Sequence, residues 1–196
     1  MVHEKLLYDH ARFLLEKYNS AIMEGKEHVI YLPEEDTDTI TRLVDWLYRK
    51  AIPLEKLLAL DLYYLAEKFC ISALMNQLMD KFRDNHATTN AIFTTWDVQE
   101  IYHNTHEMSR LRFYSAAQIA CSLRQQRHRR SWVAAESEKC SKFSPDVFRD
   151  VFHILINHWD DVHDDGTWPN TETSRNAFGT CDFHAHEKGE KCNGTQ

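Results

Sequence analysis

The chain has 196 residues, 43% hydrophobic and 27% charged, enough for one ordinary domain with extra helices or for two small ones. Its net charge of −7 argues against general nucleic-acid binding, which draws most of its affinity from neutralised phosphates. Of five glycines only Gly25 precedes residue 166, which excludes a phosphate-cradling loop or dinucleotide fingerprint, and there is no G-x-S-x-G elbow. The start, MVHEKLLYDH, has no continuous apolar core like that of a signal peptide, and no apolar run approaches the ~20 residues that span a bilayer. The five cysteines (Cys70, Cys121, Cys140, Cys181, Cys192) are odd in number and scattered, which suits reduced thiols and a cytoplasmic or nuclear location.

In chain order, Glu4 to Tyr18 places Leu6, Leu7, Phe13, Leu14 and Tyr18 near one face and predicts a helix. HVIYLP, His28 to Pro33, is short, β-rich and closed by proline, the pattern of a strand. EEDTDT supplies capping side chains and negative charge for a next helix, in which Ile40, Leu43, Val44 and Leu47 recur at i, i+3, i+4 and i+7. Burying each fully is worth about 1.5–3 kcal/mol, enough to fix the helix's orientation. After Ala51-Ile52-Pro53 comes LEKLLALDLYYLAEKF, with Leu54, Leu57, Leu58, Leu62, Leu65 and Phe69 expected as its apolar side. A further helix from Ile71-Ser72 carries Leu74, Leu78 and Phe82, and the polar run NHATTN, Asn85 to Asn90, reads as a boundary. Beyond it VQEIYHNT leads to SRLRFYSAAQIACSLRQ, with Leu111, Ile119 and Leu123 as its apolar positions. SPDVFRDVFHILINHW opens with Ser144 as cap, Pro145 in the first turn and Asp146 for the helix dipole. The periodicity stops at DDVHDDGTWPN, whose acidic residues read as a solvated loop.

The stretches VHEKLL, VIYLPEED, VDWLYRKAI, LDLYYLAEKF and ISALMNQL, in this order and spacing, resemble the BTB/POZ domain in the version common in fungal proteins. The resemblance runs from residue 2 to about 84. More loosely, EIYHNT and C-x-F-H-x-H-x-x-G-x-x-C are similar to later parts of such proteins. It implies a mainly α fold with an α+β remnant: a BTB/POZ-like helical cluster with one or a few short strands, then additional helices and an irregular tail. The corresponding division is a partial BTB/POZ-like domain over 1–86, a helical region over 90–160 and a tail over 161–196. Three departures stand out. The family's opening β-hairpin has no counterpart before the Val2-His3 pair, which leaves HVIYLP without pairing strands and reads as an N-terminal truncation rather than as a strand completed in trans. Arg49-Lys50 stand where threonine-glycine is usual, so the glycine helix stop is lost. Cys70 and Ser72 stand where glycine and proline are typical, which leaves that turn's geometry open.

By the same resemblance the protein is a protein–protein interaction module without catalytic activity, pairing with itself or another BTB protein, or docking on a cullin-type ubiquitin ligase scaffold. The family's dimer surface includes the first helix, so Leu7, Phe13 and Leu14 are the candidate contact residues; packing into the internal core is the competing reading. Trp46 and Tyr48 read as packing residues.

CDFHAHEKGEKC, residues 181 to 192, gathers thiolate and imidazole donors. Cys181, His184, His186 and Cys192 together make a closed tetrahedral set for one structural zinc, with no open position for catalysis. Gly189 lets the chain turn back, and Asp182, Glu187 and Glu190 are available as outer acceptors. The plainer reading is a tail with solvated histidines. An alternative function follows from the cluster: a zinc-binding regulatory or nucleic-acid-associated protein that also uses the basic patch Arg124 to Arg130. A metallohydrolase is the weakest reading, because no H-E-x-x-H occurs among the twelve histidines.

Overall fold

The computed structural model describes residues 3, 5–6, 10–11, 16, 19, 32–53, 55–89, 92–125 (the side chains of 121 and 123–125 excepted), 143–157 and 182–186. Among them are six α-helices and no strand, in keeping with the mainly helical cluster that the sequence implies. Most of the expected strand, residues 28–31, and most of the expected first helix lie outside the described residues. The chain divides into two compact units, Met1–Leu78 and Met79–Gln196.

In the first unit, helix α1 (Thr37–Arg49) begins where the acidic run places it. The Asp36 carboxylate accepts from the Thr39 backbone N–H at 2.8 Å and from its hydroxyl at 3.1 Å. Leu43, Trp46 and Leu47 are buried while Ile40 and Val44 are half-buried, so the core side is centred on Trp46. The Trp46 indole donates to Gln77 Oε1 at 2.9 Å, which satisfies its one polar atom.

The helix stops without a glycine. Lys50 itself takes the left-handed conformation (φ 55°), donating its N–H to the Trp46 carbonyl at 2.8 Å, and its ammonium lies 3.9 Å over the Trp46 ring. That cation–π contact offsets part of the steric cost of a side chain at positive φ.

Helix α2 (Lys56–Lys68) packs on α1. Its buried residues are Ala59, Leu60, Leu62, Tyr63, Leu65 and Ala66, with Phe69 just beyond. The expected stripe is thereby corrected: Leu57 is 49% exposed and Leu58 half-buried. Counting only large apolar residues overlooks Ala59 and Ala66, whose small side chains bury completely.

The turn after α2 also forms without glycine. Cys70 is left-handed (φ 54°), Cys70 N–H bonds the Glu67 carbonyl at 3.0 Å, and Ile71 N–H bonds the Ala66 carbonyl at 2.8 Å. Those two bonds are the Schellman pair, and Ile71, 1% exposed, supplies the apolar contact that accompanies it. The geometry that the departure at Cys70 leaves open is therefore the ordinary one, adopted by an unusual residue.

Helix α3 (Ser72–Thr89) crosses the division between the units. The polar run NHATT is its final turn, not a break. Thr88 and Thr89 hydroxyls bond back to the Asp84 and Asn85 carbonyls, and His86 is 2% exposed.

In the second unit, helix α4 (Thr95–Asn104) starts with a full capping box: Asp97 N–H donates to the Thr94 hydroxyl, and the Asp97 carboxylate accepts from Thr94 N–H. Helix α5 (Arg110–Gln125) packs against both α4 and helix α6 (Pro145–Asn157). With neighbours on two sides, α5 buries Leu111, Arg112, Tyr114 and every residue from Ser115 to Gln118. Of the expected apolar positions Leu111 is fully buried, Ile119 half-buried, and the Leu123 side chain lies outside the description. A polar chain ties the three helices. Arg112, 9% exposed, donates to the Tyr102 carbonyl at 2.7 Å, to the Thr105 hydroxyl at 3.1 Å and to the Thr105 carbonyl. Tyr102 O–H in turn donates to Asp150 Oδ2 at 2.9 Å.

Candidate functional site

The candidate contact residues Leu7, Phe13 and Leu14 lie outside the described residues. Within residues 32–78 the large apolar side chains mostly serve the core, with Tyr48 (44% exposed) and Leu57 (49%) on the surface. Tyr48 thus departs from its expected packing role. Its hydroxyl meets His3 instead, 2.7 Å from Nδ1 and 3.1 Å from the backbone N–H, which the sequence pattern does not signal across 45 positions. In the same unit, Lys68 pairs with Glu35 and reaches Glu34 at 3.6 Å; the hydrogen bond to Glu35 raises the Lys68 pKa.

The described part of the Cys/His cluster, Asp182 to Ala185 with His186, is not solvated tail. Phe183 is 1% exposed and sits among aromatic rings from α5, 5.0 Å from Tyr114 and 5.5 Å from Phe113 between centroids. From α3, the Arg83 guanidinium lies 5.5 Å from the Phe183 ring. Arg110 donates to the Asp182 carbonyl at 3.2 Å. His184, 4% exposed, places Nε2 2.8 Å from Asp80 Oδ1 on α3. The His186 ring lies 5.8 Å from that of His184, and its Nε2 is buried without a hydrogen-bond partner. A buried polar atom left so is costly, on the order of 1–3 kcal/mol. Cys181 and Cys192 lie outside the described residues, as do the side chains of the basic patch Arg124 to Arg130. Among the described residues alone, no three His, Cys, Asp or Glu side chains converge as a metal site.

Sequence reasoning misses a second polar cluster. His86 Nδ1 is 2.9 Å from Tyr114 O–H and 2.6 Å from Gln118 Nε2, while Gln118 Oε1 accepts from Phe93 N–H at 3.1 Å. Phe93 stands edge-on to His86 at 4.7 Å. These groups join α3 to α5 and to the segment before α4. Their only signal in the sequence is polarity at helix positions, which reads as solvent exposure.

On α6, Phe148, Phe152 and Ile156 are exposed at i, i+4 and i+8, opposite the buried Val147, Val151 and Ile154. No helix among the described residues is long and apolar enough to cross a membrane.

No curated protein and no solved structure matches the chain. A family model does match: residues 1–86, which include α1, α2 and most of α3, match the BTB/POZ domain, a protein–protein interaction module.

Proposed function

We propose that the protein works by binding other proteins through residues 1–86, in the first instance a second BTB/POZ chain, its own copy or another. The match over those residues carries the reading. The order of VHEKLL, VIYLPEED, VDWLYRKAI and LDLYYLAEKF favours the form common in fungal proteins. Among the described residues of the first unit, Trp46, Leu62, Tyr63 and Leu74 are committed to packing, in keeping with a compact interaction module. In this reading Leu7, Phe13 and Leu14 form the contact face, and a cullin-type scaffold is a further partner for the same module.

Light scattering on the purified chain tests self-pairing. A mass of twice the monomer, reduced to the monomer's in Phe13→Glu with the helical circular dichroism kept, is the expected result. Affinity purification from the source cell tests the wider reading, with a second BTB/POZ chain or a cullin scaffold expected among the captured proteins. A monomeric chain that captures no protein above background overturns it.

A further inference from the structure

We propose that His86 is a proton-sensitive latch: neutral, it ties α3 to α5 and to the segment before α4, and taking up a proton in mild acid it loosens all three. One hydrogen-bond chain carries this. The Phe93 backbone N–H can only donate, and at 3.1 Å it meets the Gln118 amide, which must therefore turn its oxygen Oε1 toward it. That leaves Nε2 of the same amide, a donor only, facing His86 Nδ1 at 2.6 Å. Nδ1 thus accepts, and the neutral ring carries its proton on Nε2. The Tyr114 hydroxyl stands 2.9 Å from the same Nδ1.

A proton on Nδ1 has no consistent place in this chain. With the amide as it stands, Nδ1–H and a Gln118 Nε2–H would point at one another across 2.6 Å. Turning the amide over accommodates His86 but sets Nε2 against the Phe93 N–H at 3.1 Å. Either way one donor is left facing another, and His86, Phe93 and Gln118 are all buried, so the mismatch is costly.

Among the printed contacts of the ring, Tyr114 on α5 is a titratable partner, and a phenol keeps its proton in mild acid. On α3 itself, one turn back, Arg83 is positive and turned toward Asp80 at 3.7 Å and the Phe183 ring, so it supplies no countercharge. The sign follows by linkage. Below a histidine's ordinary pKa of about 6.5 the unfolded chain binds a proton that the folded ring resists. The latch therefore contributes stability above that value and loses it as the pH falls through it, until the folded ring is itself protonated.

Thermal unfolding of the full chain at about pH 7.5 and about pH 5.5 tests the latch. The wild type should lose several degrees on acidification, and His86→Gln, which can accept without titrating, should lose markedly less. In Gln118→Glu a carboxylate accepts from the Phe93 N–H and from a protonated ring alike, so this variant too should lose less than the wild type. Equal losses in all three chains overturn the proposal. Because a substitution in the core can abolish folding, nitrogen NMR of the wild type at about pH 7.5 gives an independent reading. Ring shifts showing a bare Nδ1 and a protonated Nε2 support it; a His86 ring protonated on Nδ1, alone or with Nε2, overturns it.

Discussion

Lys50 and Cys70, in the first unit, hold a conformation that favours glycine, and they differ in what surrounds them. Cys70 is exposed at the left-handed position of the Schellman turn, where a side chain costs about 1–2 kcal/mol, and no contact among the described residues matches the one Lys50 makes with Trp46. Cys70→Gly should therefore stabilise the chain by roughly 1 kcal/mol, read as a higher urea midpoint with an unchanged slope. Lys50→Gly should gain less, because it gives up the ammonium over Trp46. At the start of α1, hydrogen bonds from Thr39 lower the Asp36 pKa below its ordinary 3.8. A depressed carboxyl contributes stability that is complete above the unfolded value and lost as pH falls through the folded one. Thermal unfolding of the wild type should thus lose this contribution below pH 3.8, whereas Asp36→Asn, which caps without titrating, should lack that component. The Asp36 cap is legible in the sequence, in the acidic run EEDTDT. That Lys50 and Cys70 would turn left-handed is not, because it depends on where Trp46 and Ile71 are buried.

The helices of the second unit are fixed by polar as much as by apolar contacts. Arg112 serves two carbonyls and a hydroxyl from a buried position, so Arg112→Ala leaves acceptors unmet and opens a void, a loss of about 2–4 kcal/mol. Burial, reinforced by the bond to Asp150, raises the Tyr102 pKa far enough that the phenol stays a donor throughout the stable pH range. Tyr102→Phe should cost about 1–2 kcal/mol, and a double-mutant cycle with Asp150→Ala should return a coupling well above zero. The start of α6 follows from Ser144 and Pro145 in the sequence, whereas the buried faces of the helices follow less well. Helix α2 turns on Ala59 and Ala66, and α5 is covered from two sides, so in both a stripe of large apolar residues misstates the face. The spacing of His184 and His186 is legible in the sequence; the pairing of His184 with Asp80, and the ring of aromatics around Phe183, span separations that no local pattern encodes.

For the whole molecule, the family match ends at residue 86 while helix α3 continues to Thr89, and its later turns belong to the second unit. Phe82 and His86 find their partners in Phe93, Tyr114 and Gln118, all beyond that limit. A fragment of residues 1–86 should accordingly aggregate, or melt below the full chain, as checked by scattering and thermal unfolding. The bond between His184 and Asp80 has a kinetic side. It joins positions 104 apart, and closing a loop of that length costs about 4 kcal/mol in chain entropy before any contact rewards it. Segment 182–186 should then be among the last parts to arrive during folding and the first to leave, so that its amides exchange with deuterium before those of α5. A cell protease would meet this strap well before it met the helices beneath.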